Sequence, residues 1–273
     1  MPDIFELHQV SFGYDRVIAL DRVDLTIGAG EKVAILGANG SGKSTLLKLL
    51  DGLYFPSAGQ VTAFGLPLTS ELLEDEAYAF AFRRRVALVF QDPDVQLFSP
   101  TVWDEVAFGP LQLGLAKEEI VERVQTTLRL LNIEKLRDRS PHRLSGGEKK
   151  KVALASVLAV QPEVLLLDEP TAALDPRSKS NLVDFLIQMH KSGKTIVTAT
   201  HDLDIVCHIA DRVYVLGEDN RLVAAGHPAE ILADVPLLER TNLIHVHVHG
   251  HGYGEEQLHA HPHLHSDFHE HEH

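Results

Sequence analysis

Residues Gly37–Thr45 read Gly-Ala-Asn-Gly-Ser-Gly-Lys-Ser-Thr. This run matches G-x-x-x-x-G-K-[ST], and no other feature of the chain restricts its fold as tightly. The motif works only between a strand and a helix. Both neighbours fit. Lys32–Leu36 is short and apolar, and Ser44–Leu53 gathers Leu46, Leu47, Leu49 and Leu50 on one helical side. Glycines let backbone N–H groups surround phosphate oxygens, and the helix turns its positive end toward them. Gly37, Ala38, Asn39, Gly40, Ser41, Gly42, Lys43, Ser44 and Thr45 are therefore candidate ligands of a nucleoside triphosphate. Lys43 is expected to reach the β/γ-phosphates and Ser44 to ligate Mg²⁺.

The flanking segments extend this into an α/β fold. Val23, Leu25 and Ile27 alternate with polar residues, so residues 4–27 are read as an antiparallel β region. Gly59–Thr62, Val86–Phe90, Val164–Leu167, Thr195–Ala199, Arg212–Leu216 and Leu222–Ala225 are strand candidates. Helical stretches separate several of them, which predicts a mostly parallel sheet covered on both faces. Ile120, Val124, Leu128 and Leu131 recur at helical spacing within 101–139 and are read as core. A helical subdomain over about 95–162 is expected between two core strands. The triplet Arg83-Arg84-Arg85 is read as solvated surface.

Charge and composition narrow the class. A net charge of −14 argues against a general nucleic-acid binder. No apolar run approaches the ~18 residues of a membrane span. The N-terminus lacks a basic start with an apolar core, and Cys207 is the single cysteine, so the expectation is a cytosolic protein.

A second half of the site is also legible. Val164–Leu167 runs into Asp168 and Glu169. At the end of a buried parallel strand, Asp168 can face the Mg²⁺ near Ser44. Glu169 can polarise a water beside the γ-phosphate, and the phosphates should raise its pKa. Further on come Leu144-Ser145-Gly146-Gly147-Glu148, Ala172-Ala173-Leu174-Asp175, Gln91 and His201.

Taken in order, these motifs resemble those of ATP-binding cassette (ABC) ATPases over residues 3–240. The resemblance implies a P-loop cassette with Leu144–Glu148 as the signature, Ala172–Asp175 as the D-loop, Gln91 as the Q-loop glutamine and His201 as the switch histidine. It implies Mg²⁺ at Ser44, Gln91 and Asp168, catalysis by Glu169 with His201, and adenine stacking on Tyr14. It also implies a head-to-tail dimer, in which Ser145–Gly147 of one subunit meets the γ-phosphate on the phosphate loop of the other. Glu148 stands where the signature has Gln and Ala172 where the D-loop has Ser; only modest consequences are expected. The runs Val89–Val102, Asp104–Pro110 and Gly146–Lys150 resemble the ATPases of energy-coupling factor (ECF) transporters, cobalt/nickel importers most of all. That implies a transmembrane coupling protein, a metal-specific membrane substrate-binding protein, no nucleic-acid partner and a peripheral place on the cytoplasmic face of the membrane. ECF vitamin importers and other ABC systems are the nearest alternatives.

Beyond the cassette, 1–242, the composition changes. Residues 245–273 hold eleven of the seventeen histidines and no Lys or Arg. They are His245, His247, His249, His251, His259, His261, His263, His265, His269, His271 and His273. His-x-His spacing puts imidazoles on one face of an extended chain, and imidazole suits Ni²⁺, Cu²⁺, Zn²⁺ and Co²⁺. The tail, 243–273, is expected to bind such ions and to be disordered without them.

Overall fold

A computed structural model describes residues 2–172, 174–249 and 259–264 of the 273-residue chain. In order, its elements are β1 (Asp3–Tyr14), β2 (Val17–Gly28), β3 (Lys32–Leu36), α1 (Lys43–Leu50), β4 (Ala58–Ala63), β5 (Leu66–Pro67), α2 (Ser70–Glu74), α3 (Glu76–Arg85) and β6 (Val86–Val89). Then follow α4 (Val102–Gln112), α5 (Lys117–Leu130), α6 (Gly146–Leu158), β7 (Val164–Asp168), α7 (Pro176–Lys191), β8 (Thr195–Thr200), α8 (Leu203–Ile209) and β9 (Arg212–Leu216). The last are β10 (Leu222–Gly226), α9 (Pro228–Ala233), α10 (Val235–Arg240), β11 (Ile244–His249) and β12 (His259–Leu264).

The central sheet has the order β10-β9-β3-β8-β7-β6. Only β10 runs antiparallel to its neighbour. Every residue of β7 and β8 is buried, as parallel strands covered on both faces require. A second sheet, β2-β1-β4-β5, is antiparallel. Its inward residues Phe5, Leu7, Leu25, Ile27 and Val61 join Leu46, Leu47 and Leu50 of α1 in one apolar cluster. That cluster clamps α1 between the sheets and holds the loop before it.

β6 and β7 pair in register although α4, α5 and α6 lie between them in the chain. Ile120, Val124 and Leu128 of α5 are buried against Val102, Val106, Val152 and Leu154, and Leu131 packs on them half-buried. Arg83 and Arg84 are exposed as expected, and Arg85, also at the surface, forks onto Glu163 at 2.9 Å and lies 3.4 Å over the Phe64 ring. Leu243 and Ile244 pack into the core, and β11 and β12 follow among the described residues. No described helix is long and apolar enough to cross a membrane.

Candidate nucleotide site

The parallel strands β3, β7 and β8 bring three loops to one edge of the sheet, where open α/β sheets bind ligands. Gly40 and Gly42 adopt positive φ, 85° and 97°, as a loop wrapped around an anion demands. A Cβ at Gly42 would collide with the Ala19 carbonyl and Leu20, and one at Gly37 with Ser41 and the Leu216 carbonyl. The turn is therefore both glycine-dependent and tightly seated. α1 starts at Lys43, one residue before the position read from sequence, and no side chain caps it. Its leading N–H groups are left for a ligand.

Lys43 is buried and donates to the carbonyls of Gly37 and Ala38 at 2.8 and 3.1 Å. Its ammonium lies 3.4 Å from Glu169. Burial pulls its pKa down, and the Glu169 charge opposes that pull. Glu169 is 3 % exposed and sits at φ 44°, a left-handed conformation that costs a side chain like glutamate strain. Two neighbours hold its carboxylate: His201 Nδ1 at 2.8 Å and the Thr200 hydroxyl at 3.1 Å. Burial alone raises the Glu169 carboxyl, but the His201 hydrogen bond and the Lys43 charge outweigh it and leave the pKa below its usual value. Among the chain's own residues the balance is thus opposite to the rise expected from phosphates. The same hydrogen bond raises the His201 pKa.

Asp168 is buried, and its Oδ1 has no hydrogen-bond partner among the described residues. Burial pushes its carboxyl up, while the nearby Ser44 hydroxyl draws it down. A buried, unpartnered carboxylate oxygen beside a hydroxyl is the hard oxygen pair a Mg²⁺ ion takes, so the residues fit the ion. The cavity at this edge holds about 450 Å³, within the usual range of small-molecule sites. Tyr14, Asn39, Lys43, Ser44, Gln91 and Glu169 are among its walls. Tyr14 is 41 % exposed, with its hydroxyl 3.2 Å from that of Thr45, so it is a wall and not core. Gln91 also lines the neighbouring groove between α6 and α7 that Gly147 and Lys150 border.

The remaining motif residues lie elsewhere. Leu144 is buried under α6, whereas Ser145 and Gly146 face solvent. None of Leu144–Glu148 lines the phosphate-loop cavity. Ser145 and Glu148 form a reciprocal cap. The Ser145 N–H and hydroxyl both donate to the Glu148 carboxylate at 2.9 Å. Asp175 caps α7 through Ser178 at 2.6 and 3.1 Å. Ala173 lies outside the described residues. Lys150 and Thr200 escaped the sequence reading. Lys150 donates to the carbonyl of Ala172 and approaches that of Glu169 at 3.5 Å, tying α6 to the catalytic edge. The basic run Lys149–Lys151 was the available signal, but three adjacent lysines do not say which one turns inward.

No group of three or more His, Cys, Asp or Glu among the described residues sits close enough to hold a metal. His251, His265, His269, His271 and His273 lie outside the described residues. His245, His247, His249, His259, His261 and His263 lie on β11 and β12.

A glycine cradle on a helix end, a buried lysine and paired carboxylates at the end of β7 define a P-loop nucleoside triphosphatase. Comparison with known proteins narrows the class: residues 20–172 match the family described as ABC transporter. The nickel import ATP-binding protein NikO of Rhodobacter capsulatus is 55% identical over 89% of this chain and 97% of its own. The energy-coupling factor transporter ATP-binding protein EcfA of Methanocaldococcus jannaschii is 43% identical over 88% of this chain and 85% of its own. Among solved structures, cbiO1 from Clostridium perfringens, part of the ABC transporter complex cbiONQ, superposes with a TM-score of 0.75. It is 39% identical, covering 89% of this chain and 96% of its own. The chain belongs to the ABC transporter family as an ATP-binding subunit, and it is an ATPase.

Proposed function

We propose that this chain is the ATP-hydrolysing subunit of an ECF-type importer of cobalt or nickel ions, bound peripherally to the cytoplasmic face of the membrane. The observation that carries the catalytic half is the Glu169 carboxylate, buried between Lys43 and His201 at the mouth of the glycine cradle. Glu169 orients and deprotonates the attacking water, and His201 holds a proton toward the transferred phosphoryl group. Lys43 and the N–H groups of Gly37–Thr45 hold the phosphates, and Tyr14 stacks on adenine. Ser44, Asp168 and Gln91 hold Mg²⁺, which neutralises charge on the phosphate oxygens when bound. Residues 1–242 form the cassette, with its helical subdomain over about 95–162.

Two copies act head to tail. Ser145–Gly147 of one copy completes the phosphate loop of the other, with Asp175 near the shared interface. Gln91, lining both the nucleotide cavity and the groove beside α6, links ATP turnover to a transmembrane coupling protein. A metal-specific membrane protein supplies the substrate. The nickel and cbiONQ relatives and the run Val89–Pro110 support this reading. The histidine-rich tail binds Ni²⁺, Co²⁺ or Zn²⁺ near the transporter.

The test is purification with native membrane partners and measurement of ATP-driven Co²⁺ and Ni²⁺ uptake. Metal uptake that stops with Glu169→Gln is expected. Vitamin uptake without metal flux would replace the metal reading by that of an ECF vitamin importer.

A further inference from the structure

The turn between β9 and β10, Gly217-Glu218-Asp219-Asn220, stands beside the phosphate loop although none of the motifs includes it. The Asn220 N–H donates to the Gly217 carbonyl at 3.1 Å, and the Gly217 N–H donates to the Arg221 carbonyl at 2.9 Å. Asn220 sits at φ 61°, a left-handed conformation that asparagine tolerates better than most side chains. Its carbonyl accepts the Asp21 N–H of β2 at 2.9 Å. Arg221 donates through Nε to the Asp21 carboxylate at 2.6 Å. The turn is thus tied to the antiparallel sheet as well as to its own strands. From this anchored backbone the Asn220 side-chain amide donates to the Gly40 carbonyl at 3.1 Å, across 180 residues of sequence. Leu216, the last residue of β9, backs the other end of the same loop. Its carbonyl lies 2.8 Å from where a Cβ on Gly37 would stand.

We infer that Asn220 is a positioning residue of the ATP site, which holds the Gly40 carbonyl out of the phosphate cradle. This rests on the reading of Gly37–Thr45 as the phosphate loop and adds to it a residue from the far end of the cassette. The peptide between Gly40 and Ser41 is held at both of its polar ends. Its carbonyl accepts from Asn220, and its N–H donates to the Ala38 carbonyl at 3.2 Å. A peptide unit beside glycine reorients at little steric cost, because glycine adopts either sign of φ. Turned over, this one would present a carbonyl, the negative end of its dipole, where an anion needs N–H groups. Gly40 lines the nucleotide cavity and Asn220 does not, so the hydrogen bond draws the carbonyl toward a residue outside the cavity. The cradle holds phosphate both before and during transfer. Loosening it therefore costs binding in both states, and the loss falls on KM and not on kcat. The same turn makes another side-chain bond that does not touch the loop: the Asn242 amide donates to the Glu218 carboxylate at 3.0 Å. That bond separates stabilising the turn from positioning the cradle.

The test measures Mg·ATP hydrolysis by the full chain, together with calorimetric titration of a non-hydrolysable ATP analogue. Asn220→Gly keeps the left-handed backbone and removes only the amide. KM, and Kd for the analogue, should rise about three- to tenfold, the worth of one hydrogen bond, with kcat within about twofold of wild type. Asn220→Asp keeps the shape but cannot donate, so it should raise KM at least as much. Glu218→Ala removes the other bond of the same turn and should change KM less than about twofold. An unchanged KM in Asn220→Gly, a wild-type KM in Asn220→Asp, or equal rises in Asn220→Gly and Glu218→Ala would overturn the positioning role. Lys43→Ala probes the phosphate-loop reading separately and should abolish binding of the analogue. Retained binding in that variant would overturn the loop reading and this inference with it. Lost binding there beside an unchanged KM in Asn220→Gly would overturn the role of Asn220 alone.

Discussion

The two glycine-bearing helix starts of this molecule, the phosphate loop before α1 and the start of α6, are built in opposite ways. At the first, Lys43, Asp168 and Glu169 are buried, and the loop carbonyls already engage the lysine. At the second, Ser145 and Gly146 are exposed, and among the described residues the Ser145 hydroxyl bonds only to Glu148, three residues on. One end is a finished cradle supported by two sheets. The other is a capped helix start outside the lining of the phosphate-loop cavity. The difference supports the proposal that a second copy supplies the other half of the site, since the same chain carries both ends.

The most severe way to break this comparison is at the finished end. Glu169→Gln removes the base but preserves the shape, and kcat should fall by about 10²–10⁴-fold with ATP binding retained. A loss under tenfold in single-turnover hydrolysis would remove Glu169 from the catalytic role. The link between the two ends is the next target. Lys150 reaches from α6 to the carbonyls of Ala172 and Glu169. Charge-assisted hydrogen bonds of this kind contribute about 1.5–3 kcal/mol. Lys150→Met should therefore lower kcat about tenfold with little change in KM, and Lys150→Arg should recover part of it. A KM effect alone would mean that Lys150 serves only to hold nucleotide.

The smallest expected effect sharpens the comparison at the exposed end. Glu148 places a negative charge where the α6 dipole should attract an anion. Glu148→Gln keeps the cap and removes the charge. A single charge at a helix end is worth roughly 0.3–1 kcal/mol, so KM for ATP should fall about two- to fivefold. An unchanged or raised KM would show that the Glu148 charge does not oppose nucleotide binding.

Much of the finished end was legible because its information is local. Lys32–Leu36 and the Gly37–Thr45 loop stand where their periods and glycines predict, and Val164–Leu167 continues in β7 through Asp168. Leu46, Leu47, Leu49 and Leu50 are buried as a helical side should be. The strained φ of Glu169, the Thr200 hydroxyl and the inward turn of Lys150 were not legible. Each depends on packing β7 beside β8 or α6 beside the turn after β7, contacts between segments far apart in the chain. The capping box is legible in the sequence, since Ser145 and Glu148 stand at the cap spacing.

The central claim is that one functional site needs the cradle of one copy and the α6 start of another. Lys43→Ala disables the first, and Ser145→Asp disables the second. Each variant alone should be inactive. Mixed after dissociation, half of the reassembled dimers pair one of each, and every such dimer regains one intact composite site. The mixture should then recover up to about a quarter of wild-type ATPase activity in a closed two-fold dimer. No recovery, with mixed dimers demonstrated by cross-linking, would contradict the account and place both halves of the site within a single chain.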